Sequence, residues 1–328
     1  MLRFFRSSFA TQYAVIVLAG VLLWTRAFFD PPPMPVPEGP VPFYKLIYYL
    51  FSSMPSLAVV ISFVFTLFSA FYLNYMLSRY EIIIKNASLP AFIFIVLISY
   101  FPLILTLHPV TISIVFLLLI LANLFSAYRR AEPLDTTFSV GFMTAIASFF
   151  YFPFIFFFIL ILISFILFRI PGWREWVSAI LGLLTPFLFL FVYYFWNDTL
   201  LIKTMDYLQA FRINFPMDFL RNINFVVFTV MIVLLLFVGF FSGISHLNEK
   251  TLEIRRKISI LIWLIPVMLL SFAFSGQFVK YHLMITFIPV SSLLSVYFLG
   301  LKRSFWQETI LLSIFIIILL NNLFLILT

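Results

Sequence analysis

Long apolar runs separated by short charged gaps are the feature of this chain that most constrains its fold. The runs 223–243, 283–299 and 310–327 are each long enough to cross a hydrocarbon core of roughly 30 Å as a helix. Over all 328 residues, 64% are hydrophobic and the mean hydropathy is +1.16, far above the values of a soluble globular chain. We therefore predict an all-α polytopic membrane protein in which residues 1–328 form a single integral membrane domain.

The Lys and Arg residues fall almost entirely in the gaps, and their density alternates from one gap to the next. Cytoplasmic loops of membrane proteins retain Lys and Arg, whereas exported loops are poor in them. This bias predicts about eleven transmembrane helices with the N-terminus inside. The basic residues that this topology places outside are Arg26, Lys45, Lys203, Arg212, Arg221 and Lys280. We expect a multi-pass protein of the bacterial inner (cytoplasmic) membrane.

The stretch 138–168 allows two topologies, because it is too long for one span and shorter than two ordinary ones. Two short helices that form a hairpin, hinged near residues 151–153, would keep both ends inside. One long tilted helix would invert everything that follows, and it would place the basic cluster at 250–257 outside. The positive-inside bias therefore favours the hairpin.

Composition excludes several classes of function. The net charge of +8 reflects loop cations that face an anionic inner leaflet, so we expect no nucleic-acid partner. The chain has no cysteine, which excludes disulfides and thiolate metal ligands. We find no ligand cluster with metal-binding spacing and no P-loop, GxSxG or HExxH pattern. We predict neither a metal nor a cofactor.

Three segments are predicted to lie on the outer side. Residues 29–55 form a loop whose run PPPMPVPEGPVP forbids a helix, followed by FYKLIYYLF, which is typical of an interfacial helix. Residues 197–222 form a second outer loop with an amphipathic section. The third is the very short connection SGQFVKYH at 275–282.

An acidic residue in the first outer loop is a candidate general base. Asp30 directly follows the first span and precedes three prolines, and partial burial would tune its pKa for proton transfer. Glu38 is a rival in the same loop. The simpler alternative is that Asp30 is a solvated loop acid.

Basic residues on the outer side are candidates for binding a lipid phosphate. Lys203, Arg212 and Arg221 depart from the export bias. This departure indicates either that they bind an anion or that an interfacial helix carries them as snorkelling cations. Lys280, Tyr281 and His282 lie in the short connection, close to the membrane surface. A cation at that depth needs a partner, which a phosphate headgroup or a carboxylate such as Asp30 or Asp206 would supply.

Taken together, these features resemble the GT-C class of membrane glycosyltransferases. An acid follows the first span, GFMTAIASFFYFPFIFFFILILI at 141–163 resembles the mid-chain pair of short helices, and VKYHLMITFIPVSSLLSVYFLGL at 279–301 resembles the late span. The resemblance implies that Asp30 is the base and that Lys280, with Arg212, holds a polyprenyl-phosphate sugar donor. The chain departs from the class because three prolines replace a second acid and no large outer domain is present.

The whole chain also resembles an uncharacterised family of polytopic inner-membrane proteins from Bacteroidota. The shared patterns are NYMLSRYEI, GFMTAIASFFYFP and WREWVSAILGLLTPF. This resemblance implies no activity.

Two functions from different classes remain open. The first is a glycosyltransferase-like protein that uses a polyprenyl-phosphate sugar donor at the outer face, with Lys280, Arg212, Lys203, Tyr281 and His282 around the lipid phosphate. The alternative is a non-catalytic membrane subunit of an envelope assembly or secretion complex, which requires a membrane-protein partner. An ion-coupled transporter is disfavoured because the spans hold few ionisable residues.

Overall fold

The structure, a computed structural model, describes residues 5, 10–84, 87–100, 105–128, 133–170, 172–213, 223–245 and 250–300, and single residues within 309–319. These residues contain helices and connecting turns but no strand, so the predicted all-helical class is confirmed. Residues 214–222, which include Arg221, and most of the predicted last span at 310–327 lie outside the described residues.

Twelve helices are named here in chain order. They are α1 (Ala10–Phe29), α2 (Pro42–Phe51), α3 (Pro55–Arg79), α4 (Leu89–Ile98), α5 (Pro109–Ala127), α6 (Leu134–Phe150), α7 (Phe152–Phe168), α8 (Trp173–Trp196), α9 (Leu200–Ala210), α10 (Ile223–Ser245), α11 (Leu252–Phe272) and α12 (Val279–Gly300). Of the described helices, 5 are long and apolar enough to cross a membrane, namely α1, α3, α5, α8 and α12.

The helices α4 and α12 lie at the centre of the bundle. Every residue of α4 is buried, and 89% of the apolar window of α12 is buried, compared with only 17% for α8. Apolar side chains cover α4 on all sides, as expected for a helix enclosed by other helices. The helix α8, in contrast, presents most of its apolar surface to the surroundings.

The helices α1 and α3 run antiparallel between two ends of the bundle. The ring of Trp24, late in α1, contacts that of Phe63, early in α3, with ring centroids 5.1 Å apart. Asn74, late in α3, donates a hydrogen bond of 3.3 Å to the hydroxyl of Tyr13, early in α1. Two spans joined by a connection on one side of a membrane pack in this way.

One end, which we name the His108 end, gathers the segments predicted to face outward. The rings of His108 and Tyr281 lie 4.5 Å apart, and the ring of Phe278 lies 6.4 Å from that of Tyr44 and 6.2 Å from that of Tyr151. The proline-rich segment, the start of α5, the α6–α7 junction and the 275–282 connection therefore meet there.

The opposite end, which we name the Lys257 end, carries the connections predicted to face inward. Lys257 Nζ lies 4.9 Å from the centroid of the Tyr80 ring, and Arg256 lies 5.5 Å from that of Tyr128. The Tyr128 ring also contacts Phe168 at 5.1 Å.

The stretch 138–168 is two helices rather than one. The helix α6 ends at Phe150, Tyr151 takes an extended conformation with φ −140° and ψ 101°, and α7 then starts as a 3-10 turn. Pro153 explains the break, because proline lacks a backbone N–H and its ring clashes with the carbonyl four residues before it, so the helix cannot continue through this position. The helix α6 packs on α5 and α8, whereas α7 packs on α11.

Two glycines allow α6 and α8 to touch backbone to backbone. A Cβ atom on Gly141 would lie 2.1 Å from the Ala179 carbonyl oxygen, and one on Gly182 would lie 2.2 Å from the Phe138 carbonyl oxygen. Helices in membranes associate by such close packing of small residues, because lipid supplies no hydrophobic drive between them. The glycine contact therefore fixes how the peripheral helix α8 sits on the bundle.

We predict that Gly141→Ala and Gly182→Ala each lower the melting temperature of the protein in mild detergent, at a cost of about 1–3 kcal/mol, because the new methyl group overlaps a carbonyl oxygen. Gly300→Ala is the matched control, since a Cβ atom there meets nothing within 4 Å. Equal melting temperatures for all three variants would contradict the backbone contact.

Candidate functional site

An apolar groove of about 710 Å³ lies between α2, α6, α8 and α9. Side chains at helical spacing on the facing sides of α6 and α8 form its walls. They are Phe142, Ile146 and Phe149 on α6, and Pro186, Phe189, Leu190, Tyr193 and Tyr194 on α8. The walls lie next to the glycine contact between the same two helices, so that contact positions the groove.

Three charged side chains line the polar part of this groove. Lys45 comes from α2, and Lys203 and Asp206 come from α9. Lys203 Nζ lies 3.2 Å from Asp206 Oδ2, and both side chains are about one-third exposed, at 33% and 37%. An ion pair this exposed contributes little to stability, so Lys203 can exchange its partner for a ligand anion at low cost.

Local sequence explains where Lys45 lies. The helix α2 starts at Pro42, which occupies the first helical turn and needs no N–H partner there. The Tyr44 hydroxyl donates a hydrogen bond of 2.7 Å to the Pro35 carbonyl, which ties the helix to the preceding proline-rich segment. Tyr44 is buried and the adjacent Lys45 is exposed, so α2 turns its lysine toward the groove and the surroundings.

A smaller polar cavity of about 170 Å³ lies beside the groove. Glu38, Gln209, Arg212 and Ser275 line it, together with aromatic residues of the α6–α7 junction. Residues 40–41 line both cavities, so only this short segment separates them. Partial burial removes water from the Glu38 carboxylate and raises its pKa above the ordinary value of 4.5.

His282 is part of a buried hydrogen-bond network. Its Nε2 lies 3.1 Å from the Met268 carbonyl oxygen, which can only accept, so Nε2 carries the proton. Its Nδ1 therefore accepts a hydrogen bond of 2.8 Å from the Tyr151 hydroxyl. This network joins α12 to α11 and to the α6–α7 junction, and it keeps the imidazole away from the groove.

His108 is buried at the start of α5. Its side chain caps the helix by accepting a hydrogen bond of 3.2 Å from the Thr111 backbone N–H. The Tyr281 ring covers it at 4.5 Å. Burial disfavours the charged imidazolium and lowers the pKa of His108 to about 3.

The predicted site residues have different surroundings in the structure. Lys203 lines the groove, Arg212 and Glu38 line the small cavity, and Tyr281 and His282 pack within the bundle. Asp30 and Lys280 are both exposed and line neither cavity. Among the described residues, neither of these two side chains has a hydrogen bond or an ion pair.

The sequence interpretation missed the groove walls and gave Lys45 no role in a site. The walls carry a signal, since 142, 146 and 149 recur at helical spacing on one side of α6, as do 186, 190 and 193 on α8. The spacing does not show which two helices face each other. In the described part of the chain, no group of three His, Asp or Glu side chains could hold a metal ion.

Residues 41–327 match a protein family described as "Family of unknown function (DUF6427)". The chain belongs to the DUF6427 family. No curated protein and no solved structure matches it. The DUF6427 match includes the helices that form the groove and both of its lysines, whereas Asp30 and Glu38 precede the matched residues.

We predict that the protein loses stability as the pH falls through the ordinary histidine range, because unfolding lets His108 take up a proton. The unfolded-state pKa is 6.5 and the folded-state pKa is about 3, so the unfolded chain binds more protons between these values. For His108 alone the loss is about 2 kcal/mol at about pH 5. Melting curves in detergent from about pH 8 to about pH 5 measure it.

The matched variant is His108→Asn, which keeps a capping acceptor but does not titrate. We expect its melting temperature to fall less steeply over the same pH range. Identical slopes for both proteins would show that His108 is already protonated in the folded state.

Proposed function

We propose that this protein binds a long-chain lipid phosphate in the apolar groove and transfers the sugar that this lipid carries, as a GT-C-like glycosyltransferase. The single observation that carries the proposal is the groove itself. It joins a long apolar cleft to two lysines, which is the chemistry of a polyprenyl chain ending in a phosphate.

The position of the groove suits a ligand that arrives from the bilayer. Its wall on α8 continues into an apolar surface that the bundle leaves uncovered, and Phe189 and Tyr193 are 68% and 62% exposed. A lipid chain can enter sideways between α6 and α8 without leaving hydrocarbon. The headgroup then reaches the polar part of the groove, where Lys45 and Lys203 supply positive charge.

The topology proposed with this function has about eleven spans in the bacterial inner membrane, with the His108 end outside. The antiparallel order of α1 and α3 and the two-helix stretch 138–168 support it. Cysteine-accessibility labelling at positions 203 and 250 from each side of the membrane tests it, since the native chain has no cysteine. Labelling of both positions from the same side would contradict it.

Glu38 is the base in this proposal, rather than Asp30. Its carboxylate lines the polar cavity that residues 40–41 separate from the groove, and its raised pKa moves it toward the range useful for proton transfer. Asp30 and Glu38 are both exposed, but Asp30 lines neither cavity. Arg212, in the same cavity as Glu38, is placed to orient an acceptor or the sugar.

The proposed reaction is a single displacement. Glu38 takes the proton from an acceptor hydroxyl, whose oxygen forms a bond to the anomeric carbon of the sugar. The bond from that carbon to the phosphate oxygen breaks, and its electron pair stays on the lipid phosphate. Lys45 and Lys203 compensate the charge that develops there.

A non-catalytic membrane subunit is the alternative, and the exposure of α8 favours it. Only 17% of the apolar window of α8 is buried, so its outer side offers a helix-sized apolar surface. A partner helix would cover that surface as well as lipid does. The resemblance to Bacteroidota inner-membrane proteins suits both functions equally.

We predict that the wild-type protein retains a polyprenyl phosphate in native mass spectrometry and that the double variant Lys45→Gln/Lys203→Gln loses it. Each charged contact removed weakens binding by about tenfold or more. Lys280→Gln is the matched control, because this exposed lysine does not line the groove.

If the double variant retains polyprenyl phosphate and Lys280→Gln loses it, the phosphate binds at Lys280, as predicted from the sequence, and not in the groove. If none of the three proteins retains polyprenyl phosphate, the groove does not bind this lipid, and the membrane-subunit alternative replaces the transferase.

We predict that Glu38→Gln slows release of polyprenyl phosphate from its glycosylated form by about a hundredfold or more, because the acceptor loses its base. Asp30→Asn should leave the rate unchanged. The wild-type rate should rise with pH through the Glu38 pKa, which lies above 4.5.

Chromatography of the lipid products measures this rate, and lipid retention by Glu38→Gln serves as the folding control. A normal rate in Glu38→Gln beside a slow one in Asp30→Asn would reverse the assignment of the base.

A further inference from the structure

A second polar cavity lies at the Lys257 end, away from the groove. It has a volume of about 410 Å³ and is formed by the end of α3, the end of α5 and the first turns of α11. Arg79, Glu81, Glu253 and Lys257 supply its charges, and Ser126 and Thr251 supply hydroxyl groups. None of these residues lines the groove or its neighbouring cavity.

Lys257 is the most unusual of these residues because it is only 2% exposed. Its ammonium lies 2.5 Å from Glu253 Oε1 and 4.9 Å from the centroid of the Tyr80 ring. Removing a charged group from water costs several kcal/mol, and a well-packed apolar residue often replaces a buried charge without loss of stability. Its partner Glu253 is only partly buried, with 20% of its side chain exposed. Burial of the Lys257 ammonium beside a polar cavity is therefore better explained by ligand recognition than by stability.

Glu81 supplies a second carboxylate to the cavity. It directly follows α3 in the left-handed conformation, with φ 59°, in which helices commonly end. Arg169 after α7 and Asp198 shortly after α8 have the same conformation, so the turn itself is explained by the end of the helix.

The charges in the cavity are balanced, with two cations and two carboxylates. A simple anion would be repelled by Glu81 and Glu253, and a simple cation by Arg79 and Lys257. A group that carries a phosphate and an ammonium a few bonds apart satisfies both pairs.

We propose that this cavity binds a phosphoethanolamine group, as the headgroup of a phosphatidylethanolamine or as the free compound. In this arrangement Arg79 and Lys257 hold the phosphate, and Glu81 and Glu253 hold the ammonium. The site lies on other helices than the groove, so it stands whether or not the groove proposal holds.

Binding is tested with the full chain, stripped of lipid in detergent, by titration with phosphatidylethanolamine or phosphatidylglycerol of the same acyl chains and counting of bound lipid by native mass spectrometry. We expect tighter binding of phosphatidylethanolamine. Arg79→Gln should weaken that binding by about tenfold, since one charged contact is lost. Arg174→Gln, an exposed arginine on α8, is the matched control.

Lys257→Met should abolish the preference for phosphatidylethanolamine. If this buried variant does not fold, as judged by size-exclusion chromatography, the exposed Arg79 variant decides. Competition with free phosphoethanolamine distinguishes the lipid from the free compound as the ligand. If free phosphoethanolamine displaces the lipid, the headgroup alone is sufficient for binding. If it does not, the site binds the whole lipid. Equal affinity for both lipids, or unchanged affinity in Arg79→Gln, would overturn the proposal.

Discussion

The close contact of α6 and α8 at Gly141 and Gly182 is the interaction on which the rest of the candidate site depends. In lipid, two apolar helices gain little from burying apolar surface against each other, so their association rests on close packing. Here the backbones touch, with no room for a methyl group on either glycine. The aromatic walls on the same two helices then enclose a groove of about 710 Å³. A larger residue at either glycine would push α8 away from α6, and α9, which packs on α8 and carries Lys203, would move with it.

Sequence reasoning predicted the helical membrane class, because apolar runs and backbone hydrogen bonding leave few alternatives. It also located the break at 151–153, because a proline prevents a helix from continuing through its position. The candidate site was less predictable because it is made by residues far apart in the chain. The spacing of Phe142 and Ile146 marks one side of α6, but no local rule says that α8 faces it. The roles of Asp30 and Lys280 stay predictions, and their exposed positions give them no support from the fold.

The two ends of the bundle use charge in different ways. At the His108 end, the histidines are buried and hydrogen-bonded, and Lys45, Lys203 and Asp206 line an open groove. At the Lys257 end, a buried lysine pairs with a partly buried glutamate beside a polar cavity. Keeping a charge pair in such surroundings costs free energy, whereas the exposed pair of Lys203 and Asp206 costs little. We therefore expect a ligand in the groove to displace the pair of Lys203 and Asp206, and a ligand in the second cavity to join the pair of Lys257 and Glu253.

Tyr151 is the extended residue between α6 and α7. On one side of it, α6 carries a wall of the groove, and on the other side α7 packs against α11. The Tyr151 hydroxyl holds His282, whose Nε2 is bonded to Met268 on α11. The other end of α11 carries Lys257 beside the second cavity. A continuous series of side-chain contacts therefore connects the α6 wall of the groove with the helix that carries Lys257.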